Sequence, residues 1–473
     1  MAAMARTTPR TPNLPMASGR SNSRVMLDHI DEDKALGEAL ARLGDAEYAS
    51  LTSRAVTDNG RALVDDVLRL ITEAETRKRQ RVSRAEAFRQ AVEGFIGDLL
   101  GAMGPGGKAG WVYRPTGRGH FKDDVVSYRD FTALRKMMTA LDLLEEFWPG
   151  FDAEQEMKRR ATRFRATPRL EQLAAQHGIQ PAEINRHFRH SLPDHPLRKK
   201  ATSTRATKGD KTGGEVMEID YTEEVTAMEQ VIRDLNAFLD NFTIGGGTHR
   251  GYFRLFHCGD HPKFNWNLGG RLYSEGGGYQ RLSGAARLKM TIDGKPVCDL
   301  DIKSSALTIF HALRGQPLDV ASGLDPYQVG ELSATPRDVV KAFITATFGN
   351  GQFPARWPQE AARELKEKNG KQYPISRVRD AVARAYPLLA ELRQDDAEPP
   401  IWATLMYLES EAVLRTMLAL QERGVPSLSM HDGILVPRDS ETLAKATLKE
   451  HYRVATTATP YIVVTTSIIG GSP

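Results

Sequence analysis

The chain has 473 residues, a net charge of +4 and 40% hydrophobic residues, with a mean hydropathy of −0.42; this length accommodates two or three domains with real cores. No run approaches the roughly 18 consecutive apolar residues of a membrane span, so no membrane association is expected. Cys258 and Cys298 are the whole cysteine complement, which argues against a disulfide framework or a cysteine zinc site and for a reducing, cytoplasmic setting.

Residues 1–26 hold Arg6, Arg10, Arg20 and Arg24 and no acid. They predict a disordered basic tail in preference to an organelle transit peptide. A helical N-terminal region is expected over 27–195. Up to about residue 100, apolar positions such as Leu63, Val67, Leu70 and Ile71 recur at three- and four-residue steps. The glycine-rich stretch 101–110 then interrupts the pattern. Residues 111–113, a turn at 115–119, and Val125-Val126 predict a short hairpin carrying Arg114, Arg118 and Lys122, either a nucleic-acid wing or a plain surface hairpin. A helix is expected over 128–147.

The basic run Lys158-Arg159-Arg160, with Arg163 and Arg165, precedes a helix-turn-helix-like segment, 168–190. Its first helix has Leu170, Leu173 and Ala174 on one face. Gly178-Ile179 supply a turn, and Pro181 opens a second helix bearing Asn185, Arg186 and Arg189. Such a second helix would enter a major groove, although two short helices with a glycine turn also suit a non-binding bundle. Residues 196–215 form a basic linker, with six cations between Arg198 and Lys211 against Asp210. It is either a phosphate-contacting segment or a solubilising tether. Within 216–247, Val225, Met228, Ile232, Leu235, Leu239 and Phe242 predict a long bracing, thumb-like helix ended by Gly245-Gly246-Gly247.

The remaining half carries four segments of chemical interest. Residues 268–287 combine glycines, which permit close backbone approach, with Arg271, Arg281 and Arg287, which suit phosphates or base edges. Residues 296–310 place Asp299 and Asp301 on one face of a strand, ahead of an apolar helix. Paired carboxylates there suit a hard divalent cation; a salt-bridged strand is the plain alternative. In 335–351, Thr335 and Pro336 open a helix on which Arg337, Lys341, Thr345 and Phe348 lie within about 40° of one line. Two cations followed by a ring suit a triphosphate with a base stacked beyond it. Residues 427–437, Ser-Leu-Ser-Met-His-Asp-Gly-Ile-Leu-Val-Pro, predict a tight hairpin with His431-Asp432 at its turn. Asp432 would then complete a carboxylate pair with Asp301 for two Mg²⁺ ions about 3.5–4 Å apart, Mn²⁺ being able to substitute.

In this order, the segments resemble the three motifs of family A DNA polymerases and phage-type single-subunit RNA polymerases. The Asp301 segment is similar to motif A, 337–349 to motif B, and His431-Asp432 to motif C. The Gly270-Arg271-Leu272 stretch with Gln280 is similar to the segment before motif A that contacts primer–template. The resemblance covers about residues 250–470. It implies an α+β fold, with an antiparallel right-hand palm and helical fingers: palm over 248–310 and 401–473, fingers over 311–400. It implies that Asp301 and Asp432 hold the metals, with Asp299 the alternative first ligand. Arg337 and Lys341 would hold the triphosphate, Phe348 would stand near the sugar and templating base, and His431 would lie beside the primer terminus or the nucleotide sugar.

The chain departs from the family in two ways. Where family A DNA polymerases place a Glu that blocks a 2′-hydroxyl, this chain has Ala306, and Phe348 lacks the Tyr hydroxyl of the RNA polymerases and falls one residue early. The expectation is a compact primase-polymerase or RNA polymerase of a mobile element, phage or plasmid. It would use a DNA template and NTPs, with dNTPs also accepted, beside a helicase or other replication protein. The residues also fit a DDE-type transposase using Glu409 or Glu411, or a non-catalytic replication initiator.

Overall fold

A computed structural model describes residues 46–467, apart from 75–84, 105–109, 122–124, 148–160, 194, 206–210, 321–322, 324, 370–371 and 396. The basic tail, Lys122, the Lys158–Arg160 run and Asp210 lie outside the described residues.

The N-terminal part begins with β1 (Glu47–Tyr48) and β2 (Ser53–Ala55), then α1 (Asp58–Ala74) and α2 (Ala85–Gly101). Leu63, Val64, Val67 and Ile71 give α1 its buried stripe. After β3 (Val112–Arg114) and α3 (Tyr128–Ala140) come β4 (Leu144–Phe147), β5 (Thr162–Ala166), α4 (Pro168–Gln176), α5 (Ile184–His187) and β6 (Phe188–His190). A four-stranded sheet, β1-β3-β5-β4, is set among the helices of this mainly helical region.

Three sequence expectations change accordingly. Residues 112–114 pair with β5 and β1, not with Val125-Val126. The expected helix over 128–147 stops at Ala140, because Asp142 adopts φ 55° and sends the chain into β4. The helix-turn-helix-like segment keeps its first helix, α4, capped by Thr167, and its turn at Gly178 (φ 70°). Its second half is a 3-10 turn and the single-turn α5, after which Phe188 enters β6 and the core. Pairing of β6 with β2 outcompetes helix there. Arg186 is ion-paired with Glu183 at 2.7 Å, and Arg189 sits in β6 opposite Arg54. No groove-reading helix remains among these described residues.

The second part opens with β7 (Leu197–Lys200), the pair β8 (Thr204–Arg205) and β9 (Lys211–Thr212), and β10 (Val216–Met217). The thumb-like helix expected over 216–247 is α6 (Glu223–Leu239), capped by Thr222. Following it are β11 (Ile244–Gly245), β12 (Tyr252–Phe256), β13 (Gly269–Ser274), α7 (Gly284–Arg287) and β14 (Thr291–Ile292). Then come β15 (Lys295–Lys303) and α8 (Ser305–Leu313). Residues 311–400 continue with α9 (Arg337–Asn350), α10 (Gln359–Asn369), α11 (Ile375–Ala385) and α12 (Pro387–Ala390). The chain closes with α13 (Ile401–Gln421), β16 (Leu428–Ser429), β17 (Gly433–Pro437), α14 (Glu441–Thr456) and β18 (Tyr461–Thr466).

One sheet runs β10-β7-β12-β13; the other runs β11-β14-β15-β17-β16, with β18 also paired to β15. Alternation along β15 decides its orientation: Cys298, Leu300 and Ile302 are buried, while Asp299 and Asp301 point to the opposite face. The fold is α+β with mainly antiparallel sheets. Among the described residues, no helix is long and apolar enough to cross a membrane.

Candidate active site

The site is organised by the β16–β17 hairpin. Met430 and Gly433 exchange both main-chain bonds, at 2.8 and 3.0 Å, which leaves His431-Asp432 as a two-residue connection. Such turns need a positive φ at their first position, and His431 has φ 56°. On the β17 side, Gly433 lies opposite Asp301, and Ile302 N–H donates to the Asp432 carbonyl at 3.0 Å. Asp301, on β15, thereby stands beside the turn that carries Asp432. Asp299 lies one pleat away, opposite Leu435, ion-paired with Arg287 at 3.4 Å.

On the β16 side, Ser429 is gripped by three side chains. Its N–H donates to Tyr252 Oη at 2.8 Å, while Tyr279 Oη (2.6 Å) and Gln280 Nε2 (3.0 Å) donate to its carbonyl. The Tyr252 proton then faces Tyr279 Oη, 2.5 Å away. This buried network fixes the hairpin through hydroxyls. Tyr279→Phe leaves the Tyr252 donor without an acceptor and is expected to cost about 1–3 kcal/mol. A lower urea midpoint at unchanged slope would register that loss; an unchanged midpoint would show that the hydroxyl chain contributes nothing.

Burial raises the Asp432 carboxyl well above its ordinary range, and the charges of Glu409 and Asp301 raise it further; Arg271 opposes them. Burial likewise raises Asp299, which Arg287 counteracts. Glu409 on α13 is ion-paired with Arg271, and Lys303 with Asp301. Glu411 instead pairs with Arg254 at 2.6 Å and Arg415 at 3.2 Å. Burial and the Arg271 charge hold the His431 imidazole below its ordinary value, so it is neutral near pH 7. Its Nδ1, like Arg271 Nε and Arg287 Nε, is buried without a hydrogen-bond partner.

Asp301, Glu409 and Asp432 thus concentrate negative charge that Arg271 and Lys303 offset. No group of three or more His, Cys, Asp or Glu side chains with metal-holding geometry occurs among the described residues. An oxygen-donor pair without a complete protein cage suits Mg²⁺, which is bound by one or two carboxylates with substrate phosphates and water completing its shell. Asp301 and Asp432 fit that donor set.

Helix α9 reaches the same strand end through Asp325. Arg337 Nε donates to Asp325 Oδ2 at 2.5 Å, and Ser304 Oγ, three residues past Asp301, donates to Asp325 Oδ1 at 3.2 Å. The Arg337 guanidinium also lies 5.2 Å from the Tyr327 ring centroid. The Tyr327 phenol is raised by burial and senses Arg337, Asp325 and Asp432 together. Lys341 and Thr345 are exposed on α9. Phe348 is not: it is 4% exposed, with its ring 5.4 Å from that of Phe310. The side of α9 that is open at Lys341 is covered by α8 at its C-terminal end. Ala306, in the first turn of α8, is half-buried.

The arginines and glutamine expected to touch nucleic acid divide. Arg271 and Arg287 lie beside the carboxylates. Arg281 is exposed and bonded to the Tyr113 hydroxyl. Gln280 spends its amide on Ser274 N–H, the Leu272 carbonyl and Ser429, so in this structure it braces the hairpin. Sequence reasoning passed over Lys303, Asp325, Tyr252 and Tyr279. Lys303 was legible as a cation two residues from Asp301 on the same strand face, and Asp325 as a cap before Pro326.

No family model and no curated protein matches the chain. Among solved structures it is similar to the POL domain of Pol1 from M. smegmatis, solved in complex with DNA primer-template and dNTP. The TM-score is 0.27 at 15% identity, over 51% of this chain and 50% of that one. A likeness this low carries no assignment, and the functional reading rests on the geometry above.

Proposed function

We propose that the chain is a template-directed nucleotidyltransferase, joining nucleoside triphosphates to a 3′-hydroxyl. The observation that carries this reading is Asp301 at the end of β15 beside the turn that holds Asp432, with Ser304 and Asp325 linking that strand end to the cationic start of α9. Residues 248–310 and 401–473 act as the palm and 311–400 as the fingers. Asp301 and Asp432 hold two divalent ions which, when bound, supply activation of the 3′-hydroxyl and charge neutralisation at the leaving pyrophosphate. Arg337, released from Asp325, and Lys341 take the triphosphate. His431 lies beside the primer terminus or the nucleotide sugar.

A transposase reading requires a third metal ligand such as Glu409, and strand transfer has no triphosphate for α9 to hold. A purely DNA-binding initiator leaves the half-buried carboxylate pair unexplained. Protein incubated with template, Mg²⁺ and labelled NTPs or dNTPs, with and without primer, tests the reading. Failure to extend any template under all four regimes would end it.

Ala306 leaves space where a longer side chain would meet a 2′-hydroxyl, so ribonucleotides are accepted alongside deoxynucleotides. Ala306→Glu is expected to lower the NTP-to-dNTP ratio of kcat/KM by about tenfold or more, equivalent to about 1.4 kcal/mol of transition-state discrimination. An unchanged ratio would remove the steric argument while leaving the polymerase reading in place.

A further inference from the structure

The β10-β7-β12-β13 sheet has one buried face and one partly covered face, on which Leu255 is buried. Tyr252, Arg254, Phe256, Leu272 and Ser274 are buried on the first. The alternate positions, Arg198, Phe253, Arg271 and Tyr273, are half-buried. On this second face the side chains form a continuous ladder. The Arg198 guanidinium lies 3.6 Å from the Phe253 ring centroid. Phe253 and Tyr273, directly opposed in the β12–β13 register, stack at 5.7 Å with an interplanar angle of 22°. Tyr273 in turn lies 5.8 Å from the His431 ring. The ladder therefore runs from a cation, across two aromatic rings, to the turn that carries Asp432.

A cross-strand aromatic pair stabilises a sheet wherever it occurs. That role does not account for two half-exposed rings in line with arginine at one end and the candidate site at the other. Single-stranded nucleic acid requires this combination: π-faces for successive bases and guanidinium groups for phosphates. Four-stranded sheets with aromatic side chains stack two or three bases in this manner. With strands about 4.8 Å apart, the distance from β7 to β13 is about 10 Å, which fits that number. Lys200, two residues beyond Arg198 on β7, extends the cationic edge. Arg198 is ion-paired with Glu275 at 2.6 Å, and a phosphate would take over Arg198 by displacing that carboxylate.

We infer that the Arg198–Phe253–Tyr273 face is a platform for single-stranded nucleic acid, leading bases onto the His431-Asp432 turn. That the held strand is the one being copied or extended rests on the nucleotidyltransferase reading; that a single strand is held does not. Fluorescence anisotropy on the full chain, with labelled oligothymidylate and oligouridylate, measures the binding. Phe253→Leu and Tyr273→Leu are each expected to weaken Kd at least about fivefold, whereas Phe253→Tyr and Tyr273→Phe keep it within about twofold. The preferred oligonucleotide identifies the strand as DNA or RNA. Leucine variants that melt like wild type and bind equally well would overturn the platform. If those variants fail to fold, ultraviolet crosslinking of 5-iodouracil oligonucleotides to the wild-type chain decides the matter. Adducts on the peptides holding Phe253 or Tyr273 support the platform, and adducts confined elsewhere overturn it. Primer extension by the wild-type chain separately tests the polymerase reading, so either can fail alone.

Discussion

Asp432→Asn is expected to lower nucleotide incorporation by about a thousandfold or more while leaving the metal-free protein at least as stable as wild type. The two effects have one cause. Asp432 is half-buried; its partial burial and the charges of Glu409 and Asp301 act against its ionised form, and a neutral amide removes that repulsion. The same repulsion is what a divalent cation relieves. Loss of one metal carboxylate removes several kcal/mol of transition-state charge stabilisation, and about 4 kcal/mol corresponds to about a thousandfold in rate. Wild type should therefore gain melting temperature with Mg²⁺ or Mn²⁺, because anything that binds the folded state alone stabilises it. Asp432→Asn and Asp301→Asn should lose most of that gain. Thermal melts with and without metal, paired with primer extension, read both effects. If Asp432→Asn incorporates nucleotides at the wild-type rate, the carboxylate pair is not the catalytic centre.

How much of this was legible in the sequence depends on how local each cause was. Strand β15 could be read because Cys298, Leu300 and Ile302 alternate with Asp299 and Asp301 over a length sufficient to show a period of two. Helix α9 was legible from Thr335-Pro336 and the line of Arg337, Lys341 and Thr345, and the hairpin from the apolar runs on either side of His431-Asp432. Phe348 was misplaced because ideal helical angles give a residue's side of the helix but not what covers that side. Phe310, on a different element, drew the ring inward. The strands at 144–147 and 162–166 were missed, and the strand at 112–114 was given the wrong partner, because three to five residues barely display alternation and their partners lie far along the chain. Arg189 was assigned to a helix that does not form, since the pairing of Phe188 with Ala55 is invisible to local propensity. Gln280 could not be read either: its partners are main-chain groups, which carry no sequence signal.

Gly433 shows how tightly the two aspartate strands are held, and Gly433→Ala is expected to be nearly as damaging as loss of an aspartate. A Cβ at this position would stand 2.2 Å from the Leu300 carbonyl oxygen and 3.1 Å from Asp301 Cα. Both obstacles are backbone, so no side-chain rotation relieves the clash, and β17 must move away from β15 by roughly 1 Å to restore van der Waals contact. Overpacking of this kind costs about 1–3 kcal/mol of stability. The functional cost is larger, because the same movement stretches the Ile302–Asp432 main-chain bond and separates the Asp301 and Asp432 carboxylates. A misplacement of about 1 Å can cost about a hundredfold in rate. The variant should accordingly show a moderately lower urea midpoint, a weaker Mn²⁺-induced rise in melting temperature, and incorporation reduced about a hundredfold below the level the folded fraction accounts for. Wild-type extension by Gly433→Ala would mean that the strands can part without cost to the chemistry. In that case the carboxylates need not be fixed by β15 and β17, and the catalytic spacing would have to be set by the substrate.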